Sequence, residues 1–191
     1  MQALREDPEI AALVERHGPL ELEPAADPFE RLVVSIVNQQ ISTASAAAIR
    51  ERLFDRFEIA PETLLRADED DLAAVGLSAQ KVEYVQNVAR AFVEGDLTRE
   101  TFVEMTDEEV VAELTEIRGV GTWTAKMFLM FALGREDVFP VEDLGVRNGM
   151  RHLFGDELTR EEMVDRAEAW RPHRSVACLY LWRAYDGGGI G

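Results

Sequence analysis

Apolar side chains recur at intervals of three and four along most of the chain. Phe29, Leu32, Val33, Ile36 and Val37 form one such stripe behind Asp27-Pro28, where Asp is a favoured N-cap and Pro suits the first helical position. A second stripe, Val82, Val85, Val88, Ala89 and Phe92, follows Ser78. A third, Val110, Val111, Leu114 and Ile117, follows Thr106-Asp107-Glu108-Glu109, which has the form of a capping box. The same pattern predicts helices over 8–17, 43–57, 122–133, 143–153, 159–170 and 172–185, with short ones after Pro61 and over 68–75. Thr159-Arg160-Glu161-Glu162 is a second capping box, and Gly187–Gly191 is expected to be a frayed tail. No stretch alternates apolar and polar residues, and no period of 20–50 residues appears, so the fold class is all-α.

Composition narrows this picture. A chain of 191 residues buries one core or one bilobed core. No run of about 18 apolar residues occurs, so no membrane span is expected. Residues 1–20 carry acids and prolines early, so no secretory signal and a cytoplasmic location are expected. Cys178 stands alone, which excludes an internal disulfide and a four-cysteine iron–sulfur cluster. His17, His152 and His173 are scattered and suggest no zinc site. A net charge of −17 argues at first against a polyanionic partner. Its distribution softens that: residues 1–116 balance to −16 and residues 117–191 to −1. In the latter part, and counting Arg118 and Lys126, the basic residues Arg147, Arg151, Arg171, Arg174 and Arg183 could share one face. Two lysines against 18 arginines, in so acidic a chain, look halophilic. In a salt-rich cytoplasm the Debye length shrinks to about 3 Å at 1 M, and remote acids lose influence.

The chemistry concentrates between residues 117 and 143. Gly119-Val120-Gly121 separates two predicted helices. Glycines permit φ > 0 and leave room for a ligand, and the N–H groups opening the next helix favour an anion. Read from residue types alone, the turn is either an ordinary αα-corner or a phosphate-holding hairpin. The loop after Gly134 delivers Glu142 and Asp143. Asp143 suits an N-cap of the following helix, and it also suits a carboxylate with chemistry to do.

Leu114-x-x-Ile117-x-Gly119-Val120-Gly121-x-Trp123-Thr124-Ala125, followed by Asp137-Val138-Phe139-Pro140-Val141-Glu142-Asp143, resembles the hairpin and Gly/Pro/Asp loop of the helix-hairpin-helix-GPD superfamily of DNA glycosylases. Within it the resemblance is to the 3-methyladenine DNA glycosylase II branch. It runs from about Pro28 to Trp182 and includes Asn38-Gln39-Gln40-Ile41-Ser42, Gly76-Leu77-Ser78 with Lys81, and Arg171-Pro172-His173-Arg174-Ser175. It implies one bilobed domain over 1–191, two helical lobes with a cleft between them. About 30–120 would form the central lobe and 1–29 plus 121–191 the second. The hairpin at 117–121 and the acid loop would sit at the cleft mouth. About 27 residues precede the shared region, too few for the extra N-terminal β domain of some relatives.

The resemblance also implies roles. Asp143 matches the catalytic aspartate, stabilising an oxocarbenium-like sugar and orienting water, with Glu142 as a neighbouring charge. Superfamily members that also nick the strand carry a Schiff-base lysine two residues after the second hairpin glycine. Here Trp123 stands there, and Lys126 does not match, so a monofunctional enzyme leaving an abasic site is expected. Trp123 and Trp182 match aromatic positions of the base pocket, suited to flipped, positively charged alkylpurines such as 3-methyladenine and 7-methylguanine. Met127 replaces an aromatic of the branch. Gln40 is the expected minor-groove wedge, with Gln39 and Asn38 as possible sharers. Backbone phosphate would meet Gly119, Val120, Gly121, Thr122 and Lys81. Arg174 would brace the acid loop. Carbonyls of Thr115, Ile117 and Val120 would hold Na⁺ or K⁺; no other cofactor is required. The partner is double-stranded DNA with a damaged base, and the enzyme a monomer. The alternatives are a non-catalytic helix-hairpin-helix DNA-binding module, or a glycosylase for deaminated, oxidised or mismatched bases.

Overall fold

Helices account for all the regular structure among the described residues, 2–95 and 97–186, of the computed structural model; the side chains of Thr43 and Asp186 are not among those described. The expected frayed tail at 187–191 lies outside them. The elements are α1 (Gln2–Glu6), α2 (Pro8–His17), α3 (Pro28–Asn38), α4 (Thr43–Arg56), α5 (Pro61–Arg66), α6 (Glu69–Ala74), α7 (Ala79–Glu94), α8 (Arg99–Glu104), α9 (Asp107–Thr115), α10 (Thr122–Phe131), α11 (Leu144–Phe154), α12 (Arg160–Ala167) and α13 (Arg174–Asp186), with a 3-10 turn at Glu168–Trp170. The all-α expectation is met. Both capping boxes close: Thr106 N–H donates to Glu109 Oε2, and Thr159 N–H to Glu162 Oε2, each at 2.8 Å. α1 and α8 are too short to show a periodic stripe, and the sequence pattern did not announce them.

The chain divides into two compact units. One is contiguous and runs from Ala25 to Leu133. In it α3 buries Phe29, Leu32, Val33, Ile36 and Val37 and packs against α7 and α10. An aromatic row crosses the core, with centroids 5.2 Å apart for Phe29–Phe92, 6.1 Å for Phe92–Phe102 and 4.9 Å for Phe102–Phe128. Such tilted and edge-on pairs add to area burial because ring edges and faces carry opposite partial charge. Arg99 closes the end of this unit by donating to the carbonyls of Ala132 at 2.9 Å and of Ala25.

The division falls between Leu133 and Gly134, not near residue 120 as expected. The reason is packing: α10 is buried at Thr124, Ala125 and Met127 through Met130, and it lies against α3 and α9.

The other unit is discontinuous, joining residues up to Pro24 with those from Gly134 onward. α11 lies along α13, and a Cβ on Gly149 would stand 2.6 Å from the Leu181 carbonyl oxygen, so the two backbones touch. Trp170 is fully buried beside Phe139 and Phe154, and its Nε1–H donates to Asp7 Oδ2 at 3.0 Å. Tyr180 stitches in the N-terminal stretch, donating its O–H to Gly18 O at 2.9 Å and accepting from Leu20 N–H at 3.0 Å.

Candidate active site and hairpin

In the contiguous unit, the hairpin follows α9. Val120 N–H donates to Ile117 O at 2.9 Å, and the buried Val120 side chain anchors the turn. Only one of the two glycines uses its freedom. Gly119 has φ 109°, and a Cβ there would lie 2.3 Å from Tyr84 Cγ, so both backbone and space demand glycine. Gly121 is extended at φ −97°, a conformation any residue adopts; it caps α10 with open space around it. That leaves the N-terminus of α10 unobstructed where an anion would sit.

The turn after α3 is tied to this hairpin. Gln39 Nε2 donates to Gly119 O and to Thr124 Oγ1, each at 3.1 Å. Lys81 Nζ donates to Val37 O and Gln39 O, both at 2.7 Å. Lys81 therefore closes the C-terminus of α3, and desolvation lowers its pKa. Asn38 faces Arg50 at 3.5 Å. Gln40 is the exposed residue of the three, held at φ 56° at the tip of the turn, and Ile41 beside it is 37% exposed. On α10, Trp123 is half-buried and Met127 buried one turn further along. Lys126 is on the same helix.

The acid loop belongs to the discontinuous unit. Its first residues are pinned by α13. Ser175, fully buried, accepts from Val138 N–H at 2.9 Å and donates to Arg135 O at 2.7 Å. Arg174 donates to Asp137 Oδ1 at 2.7 Å and to Asp137 O at 2.8 Å, and pairs with Glu168 at 2.9 Å. Its bracing role is thus located at the start of the loop. The far end is held by a residue the sequence placed only on the basic face: Arg147 of α11 donates to Val141 O at 2.9 Å and Glu142 O at 2.6 Å. Burial lowers the Arg147 pKa, and nearby Arg160 and Arg151 add to this, while Asp143 and Glu142 oppose it.

Asp143 is the N-cap of α11, with Oδ1 accepting from Val146 N–H at 2.8 Å. The same oxygen accepts from Trp182 Nε1–H, also at 2.8 Å. The carboxylate is half-buried, so the capping and chemical roles weighed for it are compatible. Trp182 is 6% exposed, and its N–H edge is turned to the acid. Gly145 lies against both; a Cβ there would come within 2.6 Å of Trp182 Cδ1, 2.8 Å of its Nε1 and 3.1 Å of Asp143 Oδ1. Like Arg147, Gly145 carries no signal in a helix-period reading.

The structure thus places Asp143, Trp182, Arg174 and Arg147 in one unit, and Gly119 through Trp123, Met127, Gln39, Gln40 and Lys81 in the other. Three of the seven residues of the basic face expected from the sequence are held in ion pairs: Arg118 meets Glu83 at 2.9 Å, and Arg171 and Arg174 meet Asp137 and Glu168. Among the described residues there is no group of three or more His, Cys, Asp or Glu suited to a metal ion, and no helix long and apolar enough to cross a membrane.

The chain is 32% identical to DNA-3-methyladenine glycosylase 1 of Schizosaccharomyces pombe, covering 91% of this chain and 79% of that protein. The crystal structure of a DNA-3-methyladenine glycosidase from Bacillus halodurans superposes with a TM-score of 0.82 at 35% identity, covering 96% of this chain and 87% of that one. A Schizosaccharomyces pombe 3-methyladenine DNA glycosylase in complex with abasic DNA gives 0.87 at 30% identity, with 96% of each chain covered. Against a Bacillus subtilis relative the chain spans 66% of the longer protein. The family description "HhH-GPD superfamily base excision DNA repair protein" matches residues 33–172. With its hairpin, its acid loop and most of its length accounted for in this way, the chain belongs to the HhH-GPD superfamily of base excision DNA repair proteins.

Proposed function

We infer that this protein is a monofunctional DNA glycosylase that releases alkylated purines of the 3-methyladenine type from double-stranded DNA and leaves an abasic site. The observation that carries this reading is the Asp143 carboxylate, fixed at the head of α11 by two N–H donors to one oxygen in the loop of a base-excision family. Breaking the bond from base nitrogen to C1′ puts positive charge on the sugar, and a carboxylate held in place stabilises that charge and orients the attacking water. A cationic alkylpurine is already a good leaving group, so little acid catalysis is demanded. An extruded base needs an aromatic surface, and the half-buried Trp123 with Met127 on α10 supplies one in the hairpin unit. Trp123 also occupies the position where a strand-nicking relative would present an amine, which leaves water as the nucleophile. The hairpin and the N-terminus of α10 grip a backbone phosphate, with a monovalent cation at the Thr115, Ile117 and Val120 carbonyls. Gln40 fills the space left by the flipped nucleotide, and the enzyme acts as a monomer.

The test is base release from methylated duplex DNA, with the freed bases identified. Asp143→Asn keeps an N-cap of equal quality and an oxygen for both donors, so it removes charge with little change in fold. Release should fall by about a hundredfold or more, with DNA affinity within a few-fold and no borohydride-trapped complex from the wild type. Undiminished release by Asp143→Asn would overturn the catalytic assignment. Tight binding with no release by the wild type would point to a non-catalytic hairpin module. Release of deaminated or oxidised bases alone would move the substrate class.

A further inference from the structure

Gly145 occupies the second position of α11, where its backbone conformation is open to any residue: it is not among the positive-φ glycines. Alanine is the better helix former there. Something other than backbone geometry therefore accounts for glycine. The contacts of a hypothetical Cβ supply it. At 2.6 Å from Trp182 Cδ1 and 2.8 Å from Nε1, even one methyl group forces the indole away. The atoms it would displace belong to the edge that donates to Asp143 Oδ1 at 2.8 Å. The indole has little freedom to give way, since Trp182 is 6% exposed and lies on α13, whose backbone touches α11 at Gly149 and Leu181.

We propose that Gly145 and Trp182 form a positioning device for Asp143: the glycine makes the space through which the indole N–H reaches the carboxylate and fixes its rotation. This rests on the reading of Asp143 as the catalytic carboxylate. In this role Trp182 acts by its edge, through Asp143, and is a positioning residue. Two donors converge on one oxygen. The indole N–H constrains the Asp143 carboxyl group in addition to the backbone N–H of Val146. A charge-stabilising group works only while it is held where charge develops.

The test combines single-turnover base release with the indole N–H resonance of Trp182 by NMR, assigned among the three tryptophans. Trp182→Phe removes the donor and keeps a six-membered ring; Gly145→Ala keeps the donor and removes its space. Each should slow the chemical step by about tenfold or more while DNA affinity stays within about twofold. Gly145→Ala should also shift the Trp182 N–H resonance, and so should Asp143→Ala, a readout independent of activity. In Trp182→Phe/Gly145→Ala the methyl group enters space vacated by the missing ring atoms. The pair should therefore be no slower than Trp182→Phe alone, and its melting temperature should recover relative to Gly145→Ala. Wild-type rates in Gly145→Ala with an unmoved resonance would overturn the proposal, as would losses that simply multiply in the double variant. If Asp143→Asn is inactive while both single variants are fully active, the positioning device fails and the catalytic assignment stands. If Asp143→Asn is fully active, the catalytic assignment fails whatever the resonance shows.

Discussion

Single residues divide by whether their role depends on type or on placement. Asp143 was singled out because its loop resembles the family's acid loop; residue types alone left it an N-cap or a reactive carboxylate, and its capping bond to Val146 is local. Lys81 entered by the same resemblance, as a phosphate contact, and its ammonium meets two carbonyls at the end of α3. No periodicity encodes a contact between residues more than 40 positions apart. The two roles predict different losses. Lys81→Met should destabilise the protein by about 1–3 kcal/mol, the worth of charged-donor bonds, measured by chemical denaturation. The slope of log affinity against log salt should stay unchanged, whereas loss of a phosphate contact would reduce it by about one. Gln39 and Arg147 were named for other roles, a wedge and a basic face; the contacts they make were not legible because each is defined by the backbone oxygens it meets. Gly145 is harder still, because its contribution is an absence of atoms.

At the scale of elements, the long amphipathic helices and both capping boxes followed from spacing, and the boxes carry a pH dependence. The carboxylates of Glu109 and Glu162 are held below the usual range, first by the backbone N–H of Thr106 and Thr159 and then by their hydroxyls. Glu168 is lowered too, chiefly by its hydrogen bond to Arg171. A carboxyl group whose folded pKa lies below its unfolded value contributes stability above the unfolded value, about 4.3–4.5, and loses it as pH falls through the folded one. Melting temperature should therefore decline as pH is lowered below about 4.5. Glu109→Gln/Glu162→Gln, which keeps the box geometry, should flatten that decline while leaving the neutral-pH value nearly unchanged. α8 shows where pattern runs out: six residues give no full stripe, yet Thr98 and Thr101 cap it reciprocally. The boundary near residue 120 was taken from the resemblance, while the packing division follows Leu133, because α10 packs against α3 and α9.

Over the whole molecule, charge has to be counted by unit and not by position along the chain. The nearly neutral C-terminal stretch shares its unit with the acidic first 24 residues. The contiguous unit holds 10 basic and 20 acidic side chains and the discontinuous one 10 and 17, so neither is a basic platform. Several arginines of the second half are held in ion pairs. A protein so constituted should bind DNA through backbone amides and inserted side chains, and should need salt to mute its own acids. Base release should accordingly rise with salt to an optimum well above that of ordinary DNA-binding enzymes, measured as rate at saturating DNA; a monotonic fall from low salt would contradict this.

The discontinuous arrangement has a temporal side. As the polypeptide emerges from the ribosome, the stretch ending at Leu133 already holds every partner that its own unit requires, and segments of this kind fold as they appear. Asp7, Gly18 and Leu20, made earlier, must wait for Trp170 and Tyr180, made later. The nascent chain would thus form its hairpin early, and Asp143 would be seated only once α13 has followed it out.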